Sequence, residues 1–309
     1  MRPGAILVVG EAIGDFIPRD AEGRRYEAVL GGSGFNAALA LARFGAHPAY
    51  AAALSTDALG RRFRAALAAE GIDTALIRDS ARPTAIAIVS PLAPDGIPEF
   101  ALHLDRTAHD EAQGTPRALP PGVTHLHAAS FGATIGPSGE ATGDLAASTR
   151  TARATISYDI NIRATVLPER DRARALIEAR IAQADIVKAS LDDIAWLHPG
   201  ESAEAVAKHW RDVGARLVLV TRGSEGAIGY GAGEPLAAAA PSVVVADTVG
   251  AGDTFIGGFL AVLAARGRLG RGFSEASRED LRDALAFACA VAADSCTRPG
   301  CDPPRRLAT

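Results

Sequence analysis

Lysine is almost missing from this chain of 309 residues: Lys188 and Lys208 are its only two. Neither follows a glycine-rich loop, which excludes the G-x-x-x-x-G-K-[ST] phosphate loop. The lysine on a V-A-I-K strand that protein kinases use is absent too. If phosphate is bound, its charge must be met by backbone amides, a helix dipole, arginine and a metal ion. Cysteine is also scarce. Cys289, Cys296 and Cys301 are too few, and wrongly spaced, for a zinc site or a disulfide framework, which suits a reducing compartment. No apolar run reaches the length of a membrane span. Residues 1–10 lack the charged start, long apolar core and cleavage site of a secretory leader, so the expectation is a cytoplasmic protein with no membrane partner. With 32 Lys+Arg against 36 Asp+Glu the net charge is -4, and no long basic run exists, so nucleic acid is not expected as a partner. What remains is plentiful: 48% hydrophobic residues, 32 Gly and 18 Pro. That composition suits one large α/β domain over residues 1–309.

The hydrophobic pattern supports that class. Apolar runs at 5–9, 48–54, 123–128, 155–159, 186–189 and 217–221 read as strands. Helical spacing predicts helices over 57–70, 140–152, 171–182, 203–213 and 278–294. From residue 139 onward, helices and strands alternate. Such a rhythm implies a mainly parallel sheet covered by helices on both faces, with right-handed crossovers. Segments 84–91 and 99–104, around a turn at Pro94-Asp95-Gly96, fall outside the rhythm. With residues 16–32 they predict a small sheet acting as a lid, in total about 16–32 and 84–106. His125 and His127 lie two apart on one strand. With no third metal ligand in view they read as a polar sheet end.

The stretch with most chemical content is Asp247-Thr248-Val249-Gly250-Ala251-Gly252-Asp253-Thr254. The run 242–246 reads as a buried strand entering it, and apolar periodicity from Phe255 reads as a helix leaving it. Such a loop delivers first-turn amides, which lack intrahelical partners, at the positive end of a helix dipole. Asp253 falls inside this anion site, where a carboxylate is unfavourable unless it does chemistry. The inference is that Asp253 takes a proton from a substrate hydroxyl while the amides of Gly250, Ala251 and Gly252 stabilise a transferring phosphoryl group. Taken alone, the loop also fits a plain glycine turn with an aspartate N-cap.

Ligands bind open α/β sheets at the carboxyl ends of the strands. Asp15, the run Asp159-Ile160-Asn161-Ile162-Arg163 and the run Thr221-Arg222-Gly223-Ser224-Glu225-Gly226 are all expected on that rim. Gly31 and Gly32 would let a ligand approach the backbone, with Asn36 offering a donor and an acceptor. Gly32-x-Gly34-x-x-Ala37 also matches a dinucleotide fingerprint, but without a tight βαβ context. An oxidoreductase would bind NAD with no need for magnesium.

Taken together, residues 31–45 and 247–258, the two runs above and the tail Ser295-Cys296-Thr297-Arg298-Pro299-Gly300 resemble the ribokinase-like (PfkB-type) carbohydrate kinases over nearly the whole chain. The resemblance implies a three-layer α/β/α fold with a mainly parallel central sheet and a small β-sheet lid. It implies an ATP- and Mg2+-dependent kinase for a hydroxyl of a small sugar. Asp253 would be the base, Gly250, Ala251 and Gly252 the anion hole, and Arg163 a neighbour of the transferred phosphate or the substrate. Asp15, Gly31, Gly32, Asn36 and His103 would hold the sugar. Ser190, Thr221, Gly223 and Gly226, with parts of residues 286–292, would line the nucleotide site. Where relatives carry Asn-x-x-Glu, this chain has Ser190-Leu191-Asp192-Asp193, so Asp193 would reach magnesium through water. A monovalent cation, K+, would lie near Asp247. The pattern looks most like bacterial fructokinases. Kinases for 2-keto-3-deoxygluconate place an arginine on the lid where this chain has Leu104, with Arg106 nearby. That favours a neutral sugar, fructose first, with ribose, a nucleoside or the keto acid as alternatives. A relative that kept the fold but lost catalysis is the non-enzymatic alternative. The resemblance also implies a homodimer through the lid, whose exposed edge strands invite pairing.

Overall fold

A computed structural model describes residues 4–90, 100–306 and 308. The first half contains β1 (Ala5–Val9), β2 (Ile13–Pro18), β3 (Tyr26–Gly31), α1 (Ser33–Arg43), β4 (Pro48–Ala51), β5 (Ala53–Ser55), α2 (Ala58–Ala69), β6 (Arg78–Ser80), β7 (Ile86–Val89), β8 (Phe100–His103) and β9 (Val123–Ala129). The second half contains α3 (Gly136–Thr151), β10 (Thr155–Asp159), α4 (Arg170–Ile181), β11 (Ile186–Ser190), α5 (Leu191–Leu197), α6 (Ala203–Asp212), β12 (Leu217–Thr221), β13 (Ala227–Tyr230), β14 (Leu236–Ala238), α7 (Ala251–Ala265) and α8 (Arg278–Ser295). The turn anticipated at residues 94–96 lies outside the described residues.

Eight strands form the main sheet in the order β14-β13-β12-β11-β10-β9-β1-β4. The pairs from β4 through β12 are parallel, and β13 and β14 add an antiparallel edge. Both faces are covered, so successive residues of one strand serve different layers. Ile6 and Val8 pack with Leu41, Phe259 and Leu285 of α1, α7 and α8, whereas Leu7 and Val9 pack with Leu145, Ile177 and Trp210 of α3, α4 and α6. This double burial is why such strands read as unbroken apolar runs. A second sheet, in the order β3-β2-β7-β8, stands apart from the first. Serine and aspartate side chains delimit several helices: Asp57, Ser190, Ser202 and Ser277 each accept a first-turn amide, on α2, α5, α6 and α8.

Two sequence expectations are corrected. Residues 242–246 form no strand. The chain leaves the sheet at β14, and Val244 is 90% and Val245 58% exposed. A β-branched run is a strand only where it has an edge to pair with. His125 and His127 are no polar sheet end; both are fully buried in the middle of the sheet. His125 bonds Thr155 Oγ1 (2.7 Å) and Ser157 Oγ (2.8 Å), and His127 bonds Ser157 Oγ (2.8 Å). Burial pushes both imidazoles down to about 3, so they are neutral. Register puts His125 and His127 level with Ile6 and Val8, on the face covered by α7 and α8. Thr155, Ser157 and Asp159 continue this polar seam along β10, and Lys188 on β11 lies opposite Asp159.

Candidate active site

The site forms where α1 and α7 begin. Gly250, the residue before α7, has φ 73°, in the left-handed region that favours glycine. A Cβ there would also lie 2.2 Å from Cys301 Sγ. No side chain caps α7, nor does one cap α1, which begins after Gly32. The Ala251 amide donates to the Thr248 carbonyl (3.2 Å); the other first-turn amides of α7 are capped by no side chain, which suits an anionic ligand. Asp253 sits in that first turn and is 5% exposed. Its Oδ1 accepts from Ser33 Oγ at 2.5 Å and its Oδ2 from Asn36 Nδ2 at 2.9 Å. Ser33 Oγ accepts in turn from Asn161 Nδ2 at 3.1 Å, and Asn161 Oδ1 accepts from Arg163 Nη1 at 2.7 Å. A hydrogen-bonded chain thus runs from Arg163 to Asp253 and fixes the carboxylate from one side.

Beneath it lies Glu11. Its carboxylate accepts from the Ser33 amide (3.2 Å) and the Gly132 amide (3.1 Å). Burial pushes it up to about 7; Asp253 adds to the rise and Arg163 opposes it. Asp15, on β2, lies against Gly31: a Cβ on Gly31 would be 2.2 Å from Asp15 Oδ2. Burial also pushes Asp15 up to about 7, against the pull of Arg163 and with a push from Asp253. Arg163, Asp15, Glu11 and Asp253 therefore share one electrostatic neighbourhood.

On the other side of the α7 start is a cavity of about 380 Å³. Thr221, Gly223 and Gly226 line it, as do Ala251 and Gly252 from the loop and Cys289 and Ala292 from α8. The run 242–246 contributes Ser242, Val243 and Val245 as an apolar wall instead of a strand.

Ser190 is not among the residues lining this cavity. It forms a capping box with Asp193: Ser190 Oγ accepts the Asp193 amide (3.0 Å), and Asp193 Oδ2 accepts the Ser190 amide (2.7 Å). Asp193 Oδ1 takes the Ile162 amide at 2.8 Å, which ties the α5 start to the Asn161–Arg163 segment. Asp247 accepts from the Val249 amide (3.0 Å) and the Gly300 amide (2.8 Å), joining the loop before α7 to the tail after α8. His103, on β8, lines a separate cavity of about 700 Å³ with Ile86, Leu102, Leu104 and Val166, and Asp253 is not on its wall.

Ser33, Glu11 and Lys188 carry weight here that sequence reasoning missed. Ser33 is hidden between two glycines, and its bond to Asp253 spans 220 positions. Glu11 lies two residues past the end of β1, on the ligand-binding rim, a signal that could have found it. Lys188, a lysine given no role in the sequence reading, lies close to the loop: a Cβ on Gly252 would lie 2.7 Å from its Nζ.

Comparison with known proteins identifies the family. The model of the pfkB family carbohydrate kinases matches residues 4–306. A fructokinase of Rhizobium leguminosarum bv. trifolii is 35% identical over 263 residues, covering 84% of this chain and 79% of the relative. An aminoimidazole riboside kinase of Salmonella typhimurium is 29% identical over 260 residues, covering 84% and 80%. The crystal structure of a fructokinase from Xylella fastidiosa with bound ATP superposes with a TM-score of 0.89 at 26% identity, covering 98% of this chain and 96% of that one. The chain belongs to the pfkB family of carbohydrate kinases and is a phosphotransferase acting on a sugar hydroxyl.

Proposed function

We propose that the chain transfers the γ-phosphoryl group of ATP to a hydroxyl of a neutral sugar, fructose first. The observation that carries the mechanism is the placement of Asp253: a buried carboxylate, held through both oxygens, in the first turn of an uncapped helix. In this role Asp253 takes the proton of the attacking hydroxyl. The amides of Gly250, Ala251 and Gly252 receive the charge that builds on the transferring group. Asp15 and Asn36, backed by Gly31 and Gly32, accept and donate to the sugar hydroxyls. Arg163 balances charge above Asp15 and Glu11. The cavity along Thr221, Gly223 and Gly226 has the size and apolar walls to hold an adenosine moiety. The second sheet is the lid, which would exclude water as a competing acceptor.

Magnesium would neutralise charge on the phosphates. Asp193 fits it only through water, because its two oxygens already accept the Ile162 and Ser190 amides. A potassium ion beside Asp247 would stiffen the junction between residues 247–250 and the tail. A homodimer would form through the lid, where Tyr26 on β3 and Ile88 on β7 are exposed.

The neutral-sugar reading is supported by the lid segment itself, where Leu104 follows β8 and Arg106 is exposed. An acidic sugar would lack the planar cation that suits a carboxylate. A riboside is the second reading, since an aminoimidazole riboside kinase is among the similar proteins. A coupled ADP-release assay with magnesium-ATP decides between them. The panel is fructose, ribose, 2-keto-3-deoxygluconate, adenosine, aminoimidazole riboside, fructose 6-phosphate and glucose. Preference for fructose is expected. Preference for the keto acid would show that Arg106 turns inward, and preference for a riboside would replace fructose.

A further inference from the structure

We propose that Lys188, pinned by Asp159 beneath Gly252, is a positioning residue for phosphoryl transfer: it steadies the start of α7 and sets a fixed positive charge behind the amides that meet the phosphoryl group. The chain has two lysines. Lys208 is exposed on α6, and Lys188 is 3% exposed in the middle of the main sheet. Its neighbours across the ladder are Asp159 on β10 and Leu219 on β12. Both oxygens of Asp159 lie 3.1 Å from Nζ, one of them in hydrogen-bond geometry, and Asp159 is itself fully buried.

A buried ion pair is a poor device for stability alone, since apolar residues of similar volume commonly serve as well. Its location is the telling feature. A methyl group added to Gly252 would lie 2.7 Å from the ammonium, so Nζ rests against the Gly252 Cα from below. Gly252 is thereby held between a fixed cation and the face that receives the ligand. The helix dipole already favours an anion at this point, and a cation beneath it acts in the same sense.

The surroundings keep the lysine charged. Burial alone would push it down, but Asp159, Asp193 and Asp253 outweigh burial and hold it above its ordinary value. His127, on β9, feels Lys188 and stays neutral, and its Nε2 has no hydrogen-bond partner. The polar seam of the sheet therefore ends, on the active-site side, in one charged pair directly under the phosphoryl-binding loop.

The inference rests on Gly250–Gly252 receiving the phosphoryl group, and the test separates the two. Lys188→Met keeps length and removes charge. It should lower kcat by about 10- to 100-fold, with KM for ATP and for sugar changed by less than about threefold. Calorimetric titration should show ADP bound as tightly as in the wild type, and ADP with aluminium fluoride bound more weakly by a factor similar to the loss in kcat. The double variant Lys188→Met with Asp159→Asn removes both charges. It should recover the thermal stability lost by the single variant, but not the rate. Wild-type kcat in either variant would overturn the proposal, because a pair that only holds the fold together would be rescued by removing both partners. Lack of turnover in the wild type on every sugar would instead sink the kinase reading on which it stands. If Lys188→Met fails to fold, the double variant alone carries the test.

Discussion

Replacing Gly31 by alanine should separate sugar binding from everything else in the site. Gly31 ends β3 and pairs with Ile13, two residues from Asp15. The added methyl would lie 2.2 Å from Asp15 Oδ2, against 3.4 Å or more in an ordinary contact, so the carboxylate must move by roughly 1 Å. The backbone at Gly31 is not in the left-handed region, so the fold itself accepts alanine. A hydrogen bond from a ligand hydroxyl to a charged carboxylate contributes about 1.5–3 kcal/mol. Losing one predicts a fall of about 10- to 150-fold in kcat/KM for the sugar, carried mostly by KM. ATP binding should be unchanged. The coupled ADP-release assay gives the sugar parameters, and a titration gives the nucleotide affinity. Asp15→Ala should show a loss of the same order, and the double variant little further loss, since both remove one contact. Wild-type kinetics in Gly31→Ala, or full additivity in the double variant, would refute the reasoning.

Further outcomes follow from the same geometry. Gly250→Ala meets a positive φ and an overlap with Cys301 together, and should lower stability by about 1–3 kcal/mol and abolish turnover; unaltered thermal unfolding would contradict it. Burial raises Glu11 and Asp15 to about 7 each. The stability they contribute is fully present below their unfolded values, near 4, and is lost as pH rises through 7. His109, His125 and His127 are pushed down by burial to between about 3 and about 4, so their contribution is present above 6.5 and lost as pH falls through 4. The two sets offset one another at intermediate pH. Between about pH 7 and 8 the carboxyls outweigh the histidines, so urea unfolding should show stability declining there, and a rise would count against the assignment. Over the same range kcat/KM for the sugar should increase as Asp15 loses its proton.

Much of the fold was legible because its strands are buried on both faces. The runs at 5–9, 155–159 and 217–221 coincide with β1, β10 and β12. The predicted helix at 57–70 coincides with α2, which Asp57 caps. Periodicity failed where burial has another cause. In the run 242–246, Val243 and Val245 wall a cavity and pair with no strand. Alternation at His125 and His127 could not tell a polar sheet end from a buried seam whose polar atoms bond each other. The loop at 247–254 was legible as an anion site because glycine, aspartate and a following helix are adjacent in sequence. Its supports were not. Ser33 meets Asp253 only because α1 packs on α7, and Lys188 meets Gly252 only because the sheet order places β11 beneath the helix start. A lysine alone in an apolar strand, Ile-Val-Lys-Ala-Ser, was the one signal of the latter.

The central claim is that Asp253 is the base, and Asp253→Asn tests it most directly. The amide is nearly the same size but cannot take the proton. Sugar-dependent ADP release should fall by about 10²- to 10⁴-fold, while ATP still binds in the cavity beside Thr221 and Gly226 with an affinity near that of the wild type. Turnover within a few-fold of the wild type, with ATP bound, would contradict the account.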